Sequence, residues 1–313
     1  MTARVRVPAT SSNLGSGFDC IGIAVDRWLV ASATLGGTGI SIRRSGTLSA
    51  VRVRADQDLF TRGFRAACAT GGAGPTGATI EATSDIPVGC GLGSSAAAIV
   101  AGALLADAAL ELGLSRSQIL EIATAIEGHP DNVAPAICGG AVLSVHTPTG
   151  LVASSLRVSP TLELLIAVPP FPNSTKAARA ALPHALPHSD AVVAAGRAAA
   201  LVQGLATGDG ALLGAALDDV LHVPFRKARI PGYDAVVTAA QSAGAFGATL
   251  SGAGSAILAI ASRERSAAVG AAMVAAWRAS GVEAQLIRST RPVQGAVANR
   301  GPVVSHPISS ELS

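Results

Sequence analysis

A glycine loop that opens directly into an apolar helix constrains the fold of this chain more than any other segment. The stretch DIPVGCGLGSSAAAIVAGALLA runs from Asp85 to Ala106 and has glycine at every second position from 89 to 93. Glycine adopts positive φ without steric cost, so one interpretation is a tight turn. A helix start also has unpartnered N–H groups and about half a positive charge, and glycines let an anion approach them. The segment therefore predicts either a turn or an anion site.

The remaining sequence predicts an α+β protein with two domains. Alternating strands, a hairpin over 39–53 and a helix over 59–70 precede the loop, and a second helix over 116–128 follows the buried one. The pattern starts again near 158 and ends with a helix–strand–strand–helix–strand series, which is typical of a ferredoxin-like α/β sandwich. We therefore predict domains over 1–157 and 158–298, followed by a flexible tail over 299–313.

Composition excludes several classes of protein. Hydrophobic residues make up 49% of the chain, but the longest apolar run has eleven residues, and a membrane span needs about twenty. The 313 residues carry a net charge of +3, only two lysines and 3% aromatic residues, which argues against a nucleic-acid surface. The four cysteines are far apart, which argues against a zinc site or disulfides. With no apolar leader at the N-terminus, we expect a soluble cytoplasmic protein without membrane or nucleic-acid partners.

Three common interpretations of the loop and its surroundings fail on their own residues. A Walker A loop needs a lysine that this segment lacks. The Rossmann pattern G-x-G-x-x-G fits Gly89 and Gly91, but its third position is Ser94. No G-x-S-x-G sequence is present, which removes the usual α/β-hydrolase serine.

Six segments in order along the chain resemble the GHMP kinases, in the homoserine kinase branch of that family. They are VRVPATSSNLGSGFDCIGIAV (5–25), PVGCGLGSSAAA (87–98), EGHPDNVAPAICGGAV (127–142), STKAARAALP (174–183), DDVLHVPFRKARIPGYDAV (218–236) and GATLSGAGSAILAI (247–260). The resemblance implies an N-terminal ribosomal protein S5 domain 2-like domain that binds ATP, followed by a ferredoxin-like domain. It also implies Mg²⁺ as cofactor, a homodimer, and phosphorylation of the side-chain hydroxyl of L-homoserine to O-phospho-L-homoserine in threonine biosynthesis.

The resemblance assigns the nucleotide and metal sites. A loop of this kind would bind phosphate through backbone N–H groups and the helix dipole, without a lysine. For the metal, Mg²⁺ requires hard oxygen ligands, and the resemblance implies Glu127 and a loop serine, Ser95 in preference to Ser94. The implied nucleotide-binding residues are Pro87, Val88, Gly89, Cys90, Gly91, Leu92, Gly93, Ser94, Ser95 and Ala96.

The resemblance also assigns the substrate pocket. Arg179 and Arg226 match positions that bind the substrate carboxylate, for which a planar guanidinium is suited. Asn13 and Asp19 match positions near the substrate hydroxyl, and His129 matches a further pocket position.

The sequence does not decide which group, if any, is the catalytic base. Asp131 matches the catalytic aspartate of the mevalonate kinase branch. In the homoserine kinase branch, the implied alternative is direct proton transfer to the γ-phosphate, assisted by Asn132 and Asn13. Thr175 is a further pocket candidate.

Two other functions compete with homoserine phosphorylation. One is a kinase of the same fold for another small alcohol, such as L-threonine or a mevalonate-like compound. The other is a catalytically silent sensor, and the presence of Glu127 and the loop serines argues against it.

Overall fold

The computed structural model describes residues 2–74, 76–291 and 293–301, and it has an α+β architecture, as predicted. The strands are β1 (Thr2–Asn13), β2 (Gly17–Leu35), β3 (Ile40–Gly46), β4 (Ala78–Ser84), β5 (Ala141–Thr147), β6 (Gly150–Leu156), β7 (Leu162–Val168), β8 (Gly247–Leu250), β9 (Ile257–Ser262), β10 (Gln285–Ser289) and β11 (Val297–Gly301). The helices are α1 (Leu59–Thr70), α2 (Ser94–Leu110), α3 (Arg116–Glu127), α4 (Pro130–Cys138), α5 (Thr175–Ala180), α6 (His188–Thr207), α7 (Gly210–Leu217), α8 (Val223–Arg226), α9 (Tyr233–Ser242) and α10 (Ser266–Ala279).

The first sheet is built on the long hairpin of β1 and β2. Its order is β11-β1-β2-β4-β3, and the β5–β6 hairpin pairs with β2. All pairs are antiparallel except β3–β4. Helices α2 and α4 pack against β1 and β2, so the segment that follows the glycine loop lies on this sheet.

Helix α2 is buried on nearly all sides, as its apolar sequence predicts, because α1, α3, α4 and the first sheet surround it. Small residues let α1 approach closely. A Cβ atom at Gly102 would lie 2.2 Å from the Phe60 carbonyl oxygen, and one at Gly63 would lie 2.2 Å from that of Ile99. The glycines are therefore required by the packing of these two helices.

The second sheet has the antiparallel order β10-β7-β9-β8, which is the strand order of a ferredoxin-like domain. Alternate residues of β7 face two different cores. Leu164 and Ile166 belong to the large core of the first domain, whereas Leu165 and Ala167 pack in a second core with Trp277. This sheet is therefore buried on both faces, and one face ties it to the first domain.

The predicted hairpin over 39–53 is wrong. Only Ile40–Gly46 forms a strand, and it pairs in parallel with β4. The chain then turns, and the Thr47 hydroxyl donates to the carbonyl of Ile86 (2.7 Å). Residues 48–53 leave the sheet because their apolar side chains line a cavity.

The predicted boundary near 298 and the tail from 299 need a correction. Val297–Gly301 form β11, which pairs with β1 at the edge of the first sheet. The backbone groups of that edge strand are satisfied by this pairing. Residues 302–313 of the predicted tail lie outside the described residues. The division at 157/158 stays a prediction.

Across the three described ranges, no helix combines the length and the apolar character needed to cross a bilayer.

We expect Gly102→Ala to lower the free energy of unfolding by about 1–3 kcal/mol, because the added methyl group overlaps the Phe60 carbonyl. Gly196→Ala is the matched control: Gly196 lies in α6, and no atom lies within 4 Å of the position that its Cβ would take. That control should be neutral or stabilising by up to about 1 kcal/mol. Urea unfolding measures both, and equal stability of the two variants would contradict the close approach of α1 and α2.

Candidate active site

One cavity of about 300 Å³ contains most of the predicted site residues. Its walls come from both domains: the β1–β2 turn, the glycine loop, the α3–α4 junction, α5, α8 and the loop after β8. The predicted residues that line it are Asn13, Asp19, Val88, Gly89, Gly91, Leu92, Gly93, Ser94, Ser95, Glu127, His129, Asp131, Asn132, Thr175, Arg179 and Arg226.

Three predicted nucleotide-binding residues, Pro87, Cys90 and Ala96, are not among the lining residues. Ala96 is fully buried in the core. Cys90 is also buried, and its Sγ lies 3.5 Å from the Val88 carbonyl oxygen. Burial raises the pKa of the Cys90 thiol, which is typical of an inert cysteine and not of a reactive thiolate.

The carbonyl groups of the glycine loop are all bound to other segments. The carbonyls of Gly89, Cys90 and Leu92 accept from the N–H groups of Asn173 (2.8 Å), Ala256 (3.0 Å) and Thr10 (3.2 Å), respectively. The Gly91 carbonyl accepts from the Ser251 hydroxyl (2.7 Å). Among the described residues, no hydrogen-bond acceptor is found for the N–H groups of residues 89–95. The loop therefore offers unpartnered donors at the start of α2, as an anion site requires.

The glycines of the loop are needed for both conformation and space. Gly89, Gly91 and Gly93 have φ of 73°, 82° and 65°. A Cβ atom at Gly91 would lie 2.0 Å from the Ser251 carbonyl oxygen, and one at Gly93 would lie 2.0 Å from the Thr10 hydroxyl. Both interpretations of the loop are therefore compatible, because a tightly turned backbone presents the donors.

Ser95 and Glu127, the two predicted metal ligands, are in direct contact. The Ser95 hydroxyl donates to Glu127 Oε1 at 2.5 Å. Ser95 lies in the first turn of α2, and Glu127 is the last residue of α3. Burial raises the pKa of Glu127, and the Ser95 hydroxyl partly opposes this shift. A hydroxyl and a carboxylate, both lining the cavity next to a phosphate-type loop, are donors that fit Mg²⁺.

His129 and Asp131 form a hydrogen-bonded pair, through Nδ1 of the histidine and Oδ1 of the aspartate. Burial lowers the pKa of His129, but the Asp131 carboxylate more than offsets this, and the net shift is upward. Together with Asp19, the pair forms a cluster of potential metal ligands within 4.8 Å of one another. The Arg179 guanidinium binds Asp19, and this positive charge disfavours a cation there.

The two asparagines bind protein groups through both ends of their amides. Asn13 donates to the Gly252 carbonyl (2.9 Å) and accepts from the Asp19 N–H (3.0 Å). Asn132 accepts from the Thr10 hydroxyl (2.8 Å) and donates to Ser12 Oγ (2.9 Å). These contacts hold the β1–β2 turn against α4 and the loop after β8, so both asparagines have a structural role in the cavity wall.

Arg179 and Asp19 form a two-pronged ion pair. The two Nη atoms of Arg179 donate to the two carboxylate oxygens of Asp19 at 2.9 and 2.7 Å. Asp19 holds its position in the turn with φ of 57°, which few residues other than glycine adopt. The pair joins α5 to the β1–β2 hairpin and is still about one-third exposed.

Arg226, unlike Arg179, is almost completely buried. It is 2% exposed, its Nε donates to the Ala178 carbonyl (3.2 Å), and its guanidinium lies 5.1 Å from the Phe18 ring centroid. Within the described residues no carboxylate lies within 4 Å of it. Burial of an unpaired guanidinium is costly, and burial lowers the pKa of this one. Because Arg226 also lines the cavity, its arrangement is suited to an incoming anion.

Sequence reasoning missed a largely apolar part of the cavity. It is lined by Leu48, Val51, Val53, Leu59, Phe60 and Ala98, with an ion pair between Arg44 and Asp58. Asp58 also caps α1, since its carboxylate accepts from the Thr61 N–H (3.2 Å). The capping pattern is readable in the sequence, but the contact with Arg44 is not, because it depends on how β3 pairs. Gly252 and Ala253 complete the wall.

Comparisons with known proteins agree with this geometry. Residues 58–140 match the GHMP kinases N-terminal domain, and residues 201–279 match the GHMP kinases C-terminal domain. The chain is 42% identical to a homoserine kinase of Nostoc punctiforme over 298 residues, 93% of this chain and 96% of the relative. It is also 42% identical to a homoserine kinase of Trichormus variabilis, over 91% of this chain and 94% of that one.

Solved structures show the same relationship. A homoserine kinase from Cytophaga hutchinsonii superimposes with a TM-score of 0.86 at 33% identity, covering 95% of this chain and 97% of that chain. A Leishmania major mevalonate kinase in complex with R-mevalonate gives 0.67 at 16% identity, covering 91% and 95%. At that identity the second likeness concerns the fold alone.

We expect Gly91→Ala to weaken the binding of ATP, the ligand expected at this loop, by at least about tenfold. The methyl group would overlap the Ser251 carbonyl and displace the loop, in addition to the left-handed strain. Gly113→Ala is the control, because Gly113 has φ of 69° but nothing within 4 Å of its Cβ position. Isothermal titration calorimetry should show unchanged ATP affinity for the control, and equal affinity of both variants would contradict the role of the loop.

Proposed function

Because the chain belongs to the homoserine kinases, a branch of the GHMP kinase family, it phosphorylates L-homoserine, and we propose how its cavity performs this reaction. The product is O-phospho-L-homoserine, and the reaction belongs to threonine biosynthesis. One observation supports the mechanism most: a single cavity contains both a loop whose N–H donors and a buried arginine whose guanidinium find, respectively, no acceptor and no carboxylate among the described residues. The alternatives of another alcohol or a silent sensor gain no support from the relatives.

The glycine loop would hold the phosphates of ATP. Its free N–H groups and the positive end of α2 stabilise negative charge without a lysine. The apolar part of the cavity, around Leu48 and Phe60, would take the base. Val88, Gly89, Gly91, Leu92, Gly93, Ser94 and Ser95 would contact the nucleotide, whereas Pro87, Cys90 and Ala96 would support the loop from behind.

Ser95 and Glu127 would hold Mg²⁺. The Ser95–Glu127 hydrogen bond brings two hard oxygen donors to one place beside the loop. When bound, the ion would neutralise charge on the phosphates as the phosphoryl group is transferred. Glu127 would then be in its anionic form.

The acceptor part of the cavity would bind the substrate as a zwitterion. Arg226, buried and without a carboxylate within 4 Å in the described structure, would bind the carboxylate together with Arg179. Asp19, now bound by Arg179, would bind the ammonium group when the substrate carboxylate takes Arg179 as its partner. In this proposal Asp19 would lie beside the amino group, whereas the resemblance implies a position near the hydroxyl, and both stay predictions. His129 and Thr175 would complete the pocket.

The hydroxyl proton would be accepted by Asp131, with His129 as its hydrogen-bonded partner. The other acids that line the cavity have different partners: Asp19 binds Arg179, Glu127 binds Ser95 and Asp58 binds Arg44. Neutral amides do not accept protons at neutral pH, so Asn13 and Asn132 would orient the acceptor and the turn. A positioned base contributes roughly 10²–10⁴ in rate, and direct transfer to the phosphate remains the alternative without one.

A cytoplasmic homodimer belongs to the same proposal. The enzyme consumes ATP, and its four cysteines are unpaired in the described structure, as expected in a reducing compartment. The homodimer stays a prediction that sedimentation analysis would check.

We expect Glu127→Gln to lower kcat by at least about a hundredfold, because an amide neither carries the charge of a carboxylate nor binds Mg²⁺ as tightly. Ser95→Ala should have a smaller effect, since water can replace one neutral ligand. Glu121→Gln, an exposed glutamate on the same helix, is the control and should leave kcat unchanged. Steady-state rates over a Mg²⁺ titration measure all three. Normal turnover of Glu127→Gln would remove Glu127 from the mechanism.

We expect Arg179→Ala to raise the KM for L-homoserine by about ten- to a hundredfold, through loss of a charge-assisted contact. The KM for ATP should stay nearly constant because the glycine loop holds the nucleotide. Lys176→Ala, an exposed residue of the same helix, is the control. L-Homoserine amide should be a poor substrate of the unaltered enzyme and lose little more in Arg179→Ala. A raised KM for ATP with an unchanged KM for homoserine would instead make Arg179 a phosphate-binding residue.

A further inference from the structure

His222 is a fully buried histidine that lies outside the cavity and behind Arg226. Its ring stacks on Phe18 with the centroids 5.0 Å apart and the planes at 22°. Its backbone is fixed by Asp219, whose Oδ2 accepts from the N–H groups of His222 and Val223, both at 2.7 Å. The imidazole is therefore held between the β1–β2 hairpin of the first domain and α8 of the second.

The two ring nitrogens of His222 have partners that fix one tautomer. Nε2 lies 3.2 Å from the Gly15 carbonyl oxygen, which can only accept, so Nε2 carries the proton. Nδ1 lies 3.4 Å from an Nη atom of Arg226, which can only donate, so Nδ1 carries the lone pair. Burial lowers the pKa of His222 to about 4, so the ring is neutral at physiological pH.

We propose that His222 is a positioning residue for substrate binding: anchored on the Gly15 carbonyl, it presents Nδ1 to Arg226 and fixes the guanidinium in the orientation that receives the substrate carboxylate. This inference rests on the proposed role of Arg226. The Ala178 carbonyl holds Nε of the same guanidinium, so two neutral acceptors orient Arg226 without neutralising it. A carboxylate at position 222 would pair with the guanidinium and compete with the substrate.

Two substitutions separate positioning from simple packing. His222→Phe keeps an aromatic ring against Phe18 but removes the acceptor for Arg226. His222→Asn removes the stacked ring, but the Oδ1 atom of the asparagine can lie near the position of Nδ1 and accept a hydrogen bond from Arg226. We expect His222→Phe to raise the KM for L-homoserine about tenfold with the KM for ATP within about twofold, and His222→Asn to restore most of the homoserine KM despite a lower Tm.

His146→Phe, on an exposed part of β5, is the matched control and should leave both KM values unchanged. With L-homoserine amide as substrate, the effect of His222→Phe should disappear, since no carboxylate is bound. The proposal is overturned if the KM for L-homoserine instead rises as Tm falls, so that His222→Asn has a higher KM than His222→Phe. His222 would then be a packing residue.

Arg226→Lys distinguishes failure of this inference from failure of the proposed function. An unchanged homoserine KM in Arg226→Lys would overturn the assignment of Arg226, and with it the inference. A raised KM in Arg226→Lys with an unchanged KM in His222→Phe would overturn only the role of His222. If both single variants raise the KM for L-homoserine, the fold-increase in the double variant should be smaller than the product of the two single fold-increases, because both changes disturb one contact.

Discussion

The hydrogen bonds to the carbonyl groups of residues 89–92 are the constraint on which the rest of the site depends. Their donors come from β1, from the segment before α5 and from the loop after β8. β1 and the loop after β8 also carry Asn13 and Gly252 of the acceptor pocket, and the segment before α5 leads into the helix that carries Arg179. Because the loop is held by its carbonyl groups, its N–H groups are left to bind an anion. The same hydrogen bonds set the distance between the glycine loop and the acceptor pocket.

The cavity carries positive charge at two separate places, and each place suits a negatively charged group of a ligand. The start of α2 provides partial positive charge at the loop, and Arg179 and Arg226 provide full charges at the acceptor wall. Glu127 lies at the junction, where burial raises its pKa and a divalent cation would restore its charge. Binding of both substrates together with a metal ion, as proposed, would offset the desolvation of these charged groups.

The parts that could be predicted from sequence are those set by neighbouring residues. The glycine loop, α2 and its apolar faces follow from local preferences. The resemblance assigned Ser95 and Glu127 to one metal site, and the two side chains are in contact, while their role as ligands stays a prediction. The parallel pairing of β3 and its end at residue 46, the strand β11 and the Arg44–Asp58 pair could not be predicted, because each depends on contacts between segments apart in the chain. Likewise, no pattern shows that the amide of Asn132 is already bound to Thr10 and Ser12.

In the proposed binding mode, selection of an amino acid over a simple hydroxy acid would depend on Asp19 more than on the arginines. Any carboxylate would satisfy Arg226, so two arginines alone would also accept a hydroxy acid. An acid that took Arg179 from Asp19 would leave the Asp19 carboxylate, whose side chain is only about one-third exposed, without a partner. An unpaired polar group of this kind costs about 1–3 kcal/mol, and more for a charge. A zwitterion would avoid that cost, because its ammonium group would bind Asp19 while its carboxylate binds the arginines. The ion pair itself would then discriminate against substrates that carry only one of the two charges.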